Sequence, residues 1–118
     1  MDKVSTGDRY RATLRYLADA RDTGTPSTAR LIESLKATTT FPTRLKGLLP
    51  PGTVVAHKTG STGTVNGLTA ATNDSGVIFL PGRGQLAVSV YVKASTRTDS
   101  ERDRIIARVA RAAFDFNQ

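Results

Sequence analysis

The stretch Val54-Val55-Ala56-His57-Lys58-Thr59-Gly60-Ser61 decides the fold of this chain. Its first residues are β-branched or small, and the preceding Pro50-Pro51-Gly52 is a turn signal, so the pattern predicts a buried strand over Thr53–Ser61. The strand ends in a cation, a hydroxyl, a glycine and a second hydroxyl. By itself this short ending fits a solvated turn better than a site, and its context decides between the two.

Four residues at this strand end form the candidate site. Successive side chains on a strand point to opposite faces, so Lys58 and Gly60 share one face while Thr59 and Ser61 share the other. Gly60 has no Cβ, which lets a ligand lie against the strand edge. Backbone N–H groups left free at that edge can act as oxyanion donors.

The composition is that of a single globular domain. The chain has 118 residues, of which 38% are hydrophobic and 23% charged, which suits one small domain with a modest core. No apolar run is long enough for a transmembrane helix. The polar segment Met1–Asp8 lacks an apolar run, so we expect no signal peptide in this chain. The absence of cysteine excludes disulfides, thiolate catalysis and Cys-ligated zinc.

The histidine and the net charge each suggest a function that the rest of the sequence does not support. His57 is the only histidine and has no evident acidic partner, so it is predicted to pack within the strand rather than to bind a metal or act as a general base. The net charge of +7 would suit a nucleic-acid binder. The arginines are spread among acidic residues, however, and no aromatic residues alternate with a basic run. Nucleic acid is therefore not expected as a partner and stays a minor alternative.

Three helices are predicted. An amphipathic pattern spans Asp8–Ala20. Thr25-Pro26 is an N-cap followed by a proline and begins a second helix that ends near Ala37. Thr98-Asp99-Ser100-Glu101 is a capping box that opens the last helix. The predicted apolar face of that helix carries Ile105, Ile106, Val109, Ala113 and Phe116.

Two further strands complete the predicted sheet. One spans Gly67–Leu80 and is expected to be interrupted by a bulge or bend at Asn73–Gly76. A hairpin turn at Pro81–Gly84 leads into the other, Gln85–Ala94. The predicted fold class is therefore α/β of the α+β kind, with two helices, a three-stranded antiparallel sheet and a C-terminal helix.

A long series of runs from Lys36 onward identifies a family. The runs are Thr38-Thr39-Thr40, Arg44-Leu45-Lys46-Gly47-Leu48-Leu49-Pro50, Gly52 to Gly60, Thr69-Ala70-Ala71-Thr72-Asn73-Asp74, Leu80-Pro81 and Val92-Lys93. Together they resemble the C-terminal part of class A serine β-lactamases, in particular the extended-spectrum branch of the PER and VEB types. The resemblance implies a β-lactamase/transpeptidase-like fold, of which residues 1–118 form a single partial domain.

The resemblance also implies roles for the strand end. In the family, the lysine of Lys-Thr-Gly, here Lys58, keeps the site electropositive and contacts the serine of a separate Ser-Asp-Asn motif. The hydroxyls at Thr59 and Ser61 help to hold the substrate's carboxylate, with Gly60 in the same substrate-binding strand. The backbone N–H of Ser61 is one half of the oxyanion hole. The chemistry agrees, because an anion favours a cation and hydroxyl donors, and a tetrahedral oxyanion favours a backbone N–H.

Part of the family's machinery is missing from these residues. The family opens the β-lactam amide through an acyl-serine intermediate, with water as the final acceptor and without a metal or cofactor. No serine here is followed three residues later by lysine, there is no Ser-Asp-Asn, and neither Glu33 nor Glu101 resembles the deacylation motif. The resemblance therefore implies a fragment that binds a β-lactam only together with the N-terminal part of the fold.

Other functions and partners stay open. The chain could be a non-catalytic anion-binding remnant, or a relative of the D-Ala-D-Ala transpeptidases and carboxypeptidases, which share Lys-Thr-Gly. In the complete family fold Gln85–Ala94 pairs with an N-terminal strand, so a bare edge here predicts self-association. No membrane partner is expected. Full-length members of the family are periplasmic or secreted, whereas nothing in this chain predicts its export.

Overall fold

A computed structural model describes residues 26–118 of the chain, in two helices and four strands. The elements in order are α1 (Pro26–Lys36), β1 (Val55–Ser61), β2 (Thr64–Val65), β3 (Leu68–Leu80), β4 (Gly84–Ser95) and α2 (Asp99–Phe116). The helix predicted after Thr25 is confirmed, with its proline in the first turn. The helix predicted over Asp8–Ala20 lies outside the described residues.

The strands form one antiparallel sheet around β3. β1 pairs with β3 so that Ser61 lies opposite Thr72, and β4 pairs with the other side of β3 from Leu80 to Thr69. The short β2 adds a fourth strand to the three predicted ones by pairing with the start of β3. Asn66 and Gly67 connect β2 to β3 with φ angles of 51° and 75°. Positive φ at both turn residues favours Asn-Gly in a tight hairpin.

The bulge or bend predicted at Asn73–Gly76 is wrong. β3 runs unbroken through these residues, and its register with both neighbouring strands is continuous there. The polar side chains are tolerated because they have internal partners: Asp74 is fully buried and accepts hydrogen bonds, and Ser75 lies 2.7 Å from the hydroxyl of Ser89. Gly76 is needed for space, since a Cβ there would lie 2.5 Å from the carbonyl oxygen of Ala56.

Within the described residues, one helix covers each face of the sheet. Val77 and Ile78 are consecutive on β3 and therefore point to opposite faces. Val77 packs with Ile32 and Leu35 of α1, whereas Ile78 belongs to the main core. That core comprises Leu45, Val55, Ile78, Leu80, Val88, Val90, Ile106, Ala110 and Phe114.

The predicted apolar face of α2 is largely wrong, although the helix and its start are confirmed. Of the five predicted residues only Ile106 is fully buried, and Phe116 is 89% exposed. The buried side of the helix instead carries Arg102, Asp103, Ile106, Ala107, Ala110 and Phe114. Arg102 and Asp103 take inner positions because their charged groups have buried partners, which a count of apolar residues does not detect.

The capping box at the start of α2 is present in full. The backbone N–H of Glu101 donates to the Thr98 hydroxyl over 3.2 Å, and the backbone N–H of Thr98 donates to the Glu101 carboxylate over 2.9 Å. The second of these bonds is the main reason that the pKa of Glu101 lies below its ordinary value. Desolvation opposes this shift, and the Thr98 hydroxyl and Arg97 add smaller lowering contributions. Neither helix in the described part of the chain is long and apolar enough to cross a membrane.

Candidate functional site

The end of β1 directs backbone groups to an open strand edge. The Thr62 N–H donates to Ala71 O over 2.9 Å, and the Phe79 N–H donates to Val54 O over 3.0 Å. Antiparallel pairs alternate between bonded and non-bonded positions, so these two bonds make Ser61 a non-bonded position. Its backbone N–H therefore points away from β3. The carbonyl of His57, at an equivalent position, also points outward and accepts from the Thr38 hydroxyl over 3.0 Å.

Lys58 places a cation at this edge. Its side chain is exposed, and its Nζ donates to the carbonyl oxygen of Thr59 over 2.6 Å. The carbonyl belongs to another outward-facing position of β1. The ammonium group is thereby held along the edge and keeps its remaining N–H donors for a ligand.

Thr59 and Gly60 are less open than the sequence suggests. Thr59 is 7% exposed, and its hydroxyl lies 3.2 Å from that of Thr40. A Cβ on Gly60 would lie 2.8 Å from Oδ1 of Asn73, so the glycine makes room for the side chain across the strand pair rather than leaving an open surface there. A larger residue at this point would therefore require the Asn73 side chain to move.

Arg44 is the site residue that sequence reasoning missed. Its guanidinium is buried, and Nε donates to Oδ1 of Asp103 over 2.8 Å. Nη1 donates to the carbonyl oxygens of Gly60 and Asn73 over 3.2 and 3.0 Å, and Nη2 donates to the Ser61 hydroxyl over 2.7 Å. Arg44 falls within one of the runs that carry the family resemblance, but nothing in its spacing distinguishes it from the other arginines.

Among residues 26–118, the hydrogen bonds of Arg44 leave one N–H of its guanidinium without an acceptor. Nη2 carries two N–H groups, and Ser61 is its one acceptor among residues 26–118. The second N–H lies beside the exposed Ser61, at the same strand end as Lys58. This end of the sheet therefore combines two cations, a hydroxyl and an outward-pointing backbone N–H, which together suit a ligand with a carboxylate.

His57 has a buried acidic partner, contrary to the prediction that it lacks one. Its Nδ1 lies 2.9 and 3.0 Å from the two carboxylate oxygens of Asp74, and both side chains are almost completely buried. Asp74 also accepts from the backbone N–H of Leu45 over 3.1 Å. The prediction that His57 packs within the strand is confirmed. The pair joins β1, β3 and the segment that carries Arg44.

A cleft of about 280 Å³ lies between the 43–48 segment and the start of α2, lined by Thr43, Gly47, Leu48, Ser100, Asp103, Arg104 and Ala107. Its lining includes none of residues 58–61, so the cleft is separate from the strand-end site. Over the described residues, no group of three or more His, Asp or Glu side chains is arranged to hold a metal ion.

Comparison with known proteins gives one consistent family. Residues 2–116 match the model of the family described as "Beta-lactamase enzyme family". The chain is 53% identical over 90 residues to the extended-spectrum β-lactamase PER-1 of Pseudomonas aeruginosa, covering 76% of this chain and 29% of that protein. It is 45% identical over 82 residues to β-lactamase VEB-1 of Pseudomonas aeruginosa, covering 70% and 27%. The chain thus spans less than a third of the length of these relatives.

Solved structures agree with the sequence relatives. A β-lactamase from Chitinophaga pinensis superposes with a TM-score of 0.87 at 39% identity, covering 92% of this chain and 40% of that one. The TLA-1 extended-spectrum β-lactamase superposes with a TM-score of 0.86 at 42% identity, with the same coverage. A class A β-lactamase from Bacteroides cellulosilyticus superposes with a TM-score of 0.80 at 34% identity, covering 87% of this chain and 39% of that one.

Proposed function

We propose that this chain, which belongs to the class A β-lactamase family, supplies the carboxylate-binding and oxyanion-binding part of a β-lactamase active site. The complete reaction would be hydrolysis of the β-lactam amide through an acyl-serine intermediate, with water as the final acceptor. In this proposal the chain binds and orients the substrate, and a different part of the fold provides the nucleophile.

The contact between Arg44 and Ser61 carries the proposal. A penicillin or cephalosporin bears a carboxylate next to its fused ring. The Ser61 hydroxyl contacts Nη2 of Arg44 at the end of β1, and the ammonium group of Lys58 lies against the outward-facing carbonyl of Thr59 at the same strand end. In this proposal the carboxylate lies across the strand edge and is bound by these groups from both sides. Because the Ser61 oxygen already accepts from Arg44, its own hydrogen is free to donate to the anion. The Thr59 hydroxyl can donate to the carboxylate when Thr40 is the donor in the bond between the two hydroxyls.

The outward direction of the Ser61 backbone N–H supports an oxyanion role. When a nucleophile attacks the lactam carbonyl, negative charge develops on the carbonyl oxygen. A fixed N–H at the open edge of β1 can donate to that oxygen without reorganisation. The position within β1, which is paired along its whole length with β3, holds this donor in place.

The nucleophile and the group that activates the deacylating water are not supplied by these 118 residues. None of the eight serine positions, 5, 27, 34, 61, 75, 89, 95 and 100, has a lysine three residues later. The second candidate function therefore remains a non-catalytic anion-binding module. The two candidates share the same site and differ in whether the chain works with a nucleophile from elsewhere.

We make two further proposals, one on the location of full-length proteins of this kind and one on self-association of the isolated chain. We propose that full-length proteins of this kind are periplasmic or secreted, as the family resemblance implies. We further propose that the isolated chain self-associates through β4, since within the described residues β4 pairs with β3 alone and its second edge can accept another strand. Sedimentation velocity at micromolar concentration should show dimers or larger species; a single monomeric species would contradict self-association.

The carboxylate site can be tested on the chain itself by NMR. The ¹⁵N-labelled chain is titrated with benzylpenicillin, with ¹H–¹⁵N spectra recorded for the backbone and for the arginine Nε groups. We expect saturable shifts at Lys58, Gly60, Ser61 and the Nε–H of Arg44, and unchanged signals at the far sheet end around Arg83. Shifts absent from the strand end would contradict the proposal.

Intact mass spectrometry separates binding from catalysis. After incubation with a slowly deacylating β-lactam, the mass of the chain should be unchanged, because no activated serine is present. A stoichiometric adduct on one serine would show that the chain contains a nucleophile, and it would then have to be treated as an enzyme by itself.

A further inference from the structure

We propose that Phe41 is a positioning residue of the carboxylate site, acting through Arg44. The inference rests on the proposed function and adds a residue that neither the Lys-Thr-Gly motif nor the hydrogen bonds of the site include. It is carried by the backbone conformation of Phe41, by the exposure of its ring and by the contact of that ring with the guanidinium.

The backbone of Phe41 is in the left-handed region, with φ of 45°. This region is unfavourable for a residue with a bulky side chain, because the Cβ approaches the following carbonyl oxygen. Asn66, which also has a positive φ, lies in a hairpin turn where asparagine is common. Phe41 has no such local reason. A strained residue persists where its surroundings fix it, and such residues cluster at ligand-binding sites.

The conformation places the ring of Phe41 on the guanidinium of Arg44. The Cζ atom of Arg44 lies 3.8 Å from the ring centroid. Arg44 is 3% exposed, whereas Phe41 is 46% exposed, so the ring lies on the solvent side and covers the cation. The negative face of an aromatic ring attracts a cation, and the attraction grows when water is excluded.

The ring contacts the flat face of the guanidinium and leaves its edge to polar partners. Asp103, two carbonyl groups and Ser61 accept from the in-plane donors, and the remaining N–H of Nη2 has no acceptor within residues 26–118. The Arg44 backbone N–H also donates to the carbonyl of Phe41 over 3.1 Å, so a single turn positions both side chains. Phe41 therefore fixes the direction of the free donor without competing with the substrate for it.

Three substitutions distinguish the effect of the aromatic ring from the effect of the backbone strain. Phe41→Tyr retains both the aromatic ring and the strained conformation. Phe41→Leu retains the strain and removes the aromatic ring. Phe41→Gly removes both, since glycine adopts positive φ without cost. The Gly variant should therefore keep a melting temperature close to that of wild type, although it loses the ring, and any effect on Arg44 is then not a consequence of unfolding.

Two measurements on the full chain test whether the Phe41 ring positions Arg44. The first is the ¹⁵N heteronuclear NOE of the Arg44 Nε–H without ligand, which reports the order of the guanidinium. The second is the dissociation constant for benzylpenicillin from NMR titration. We expect Phe41→Tyr to match wild type in both, and the Leu and Gly variants to lose order at Nε and to bind about two- to five-fold more weakly.

The outcomes distinguish this inference from the proposed function. Wild-type order and affinity in the Leu and Gly variants would overturn the role of Phe41 while leaving the carboxylate site intact. A wild-type chain that is folded and does not bind benzylpenicillin would overturn the proposed function, and the carboxylate role of Phe41 with it. Loss of affinity in Phe41→Tyr as well would show that the effect does not depend on the contact between ring and cation, because tyrosine keeps the ring, and would also overturn the inference.

Discussion

Nη2 of Arg44 lies 2.7 Å from the hydroxyl oxygen of Ser61, although the two residues are 17 positions apart in the sequence. The contact ties a buried cation to the exposed end of the Lys-Thr-Gly strand. The contact fixes the Ser61 hydroxyl, and the pairing of β1 with β3 fixes the outward direction of the Ser61 backbone N–H. The relationship is the structural basis of the proposal that several donors at this strand end bind one anion.

Arg44→Lys should weaken both the fold and the site. A lysine cannot reproduce the planar fork that reaches Asp103, the two carbonyl groups and Ser61. We expect a loss of about 2 kcal/mol or more in the free energy of unfolding, because buried groups lose charged hydrogen bonds. Urea denaturation measures this loss, and Arg108→Lys on the exposed side of α2 is the matched control. Equal stability of the two variants would contradict the assigned role.

Lys58→Ala should weaken binding with little effect on stability. The side chain is exposed, so the free energy of unfolding should change by less than about 1 kcal/mol. Loss of a charged donor to the carboxylate should weaken benzylpenicillin binding about ten-fold or more. The control is Arg83→Gln, which removes a positive charge at the far turn of the sheet and should leave the dissociation constant unchanged. An equal effect of both variants on the dissociation constant would show that Lys58 acts only through the net charge of the chain.

Asp74→Ala should be strongly destabilising. The substitution removes the acceptor for His57 Nδ1 and for the backbone N–H of Leu45, both of which are buried. We expect a loss of about 3 kcal/mol or more in the free energy of unfolding. Asp115→Ala removes an exposed partner of Arg111 and should cost less than about 1 kcal/mol. Denaturant titrations measure the loss of free energy of unfolding in both variants. Similar losses would contradict the structural role assigned to Asp74.

The capping box of α2 should contribute stability that depends on pH. Thr98→Ala should cost about 1 kcal/mol at neutral pH through loss of the cap. The pKa of Glu101 is lowered in the folded chain, so its contribution is present above the ordinary value of 4.5 and is lost as the pH falls through the lowered pKa. Glu101→Gln should therefore differ from wild type at pH 6 and converge with it in acid. A difference in stability between Glu101→Gln and wild type that grows as the pH falls would contradict this prediction.

Periodicity and turn signals predicted the elements of this fold because those signals are local. The start of α1 at Pro26, the capping box at Thr98–Glu101 and the antiparallel strands are all confirmed, whereas the predicted N-cap Thr25 lies outside the described residues. The predicted bulge at Asn73–Gly76 failed because polar residues inside a strand were treated as an interruption. Their partners lie on neighbouring elements and cannot be identified from the residues next to them.

The candidate site was predicted only in part, for a related reason. Lys58, Thr59, Gly60 and Ser61 stand together in the sequence, and the structure places them at the end of β1. Arg44 reaches this strand end from a preceding turn and is fixed by Asp103, 59 positions away. The acidic partner of His57 lies on another strand. Long-range hydrogen bonds of this kind leave no periodic trace in a single sequence.

A hybrid enzyme would test the central claim most directly. Residues 26–118 of this chain replace the matching part of the PER-1 relative, and the initial rate of benzylpenicillin hydrolysis is measured. We expect a folded hybrid that hydrolyses the β-lactam, with Arg44→Ala and Lys58→Ala each lowering kcat/KM about ten- to a hundred-fold. A hybrid that unfolds cooperatively but lacks hydrolysis, or whose activity is unaffected by both substitutions, would contradict the claim that this chain supplies the carboxylate-binding part of the site.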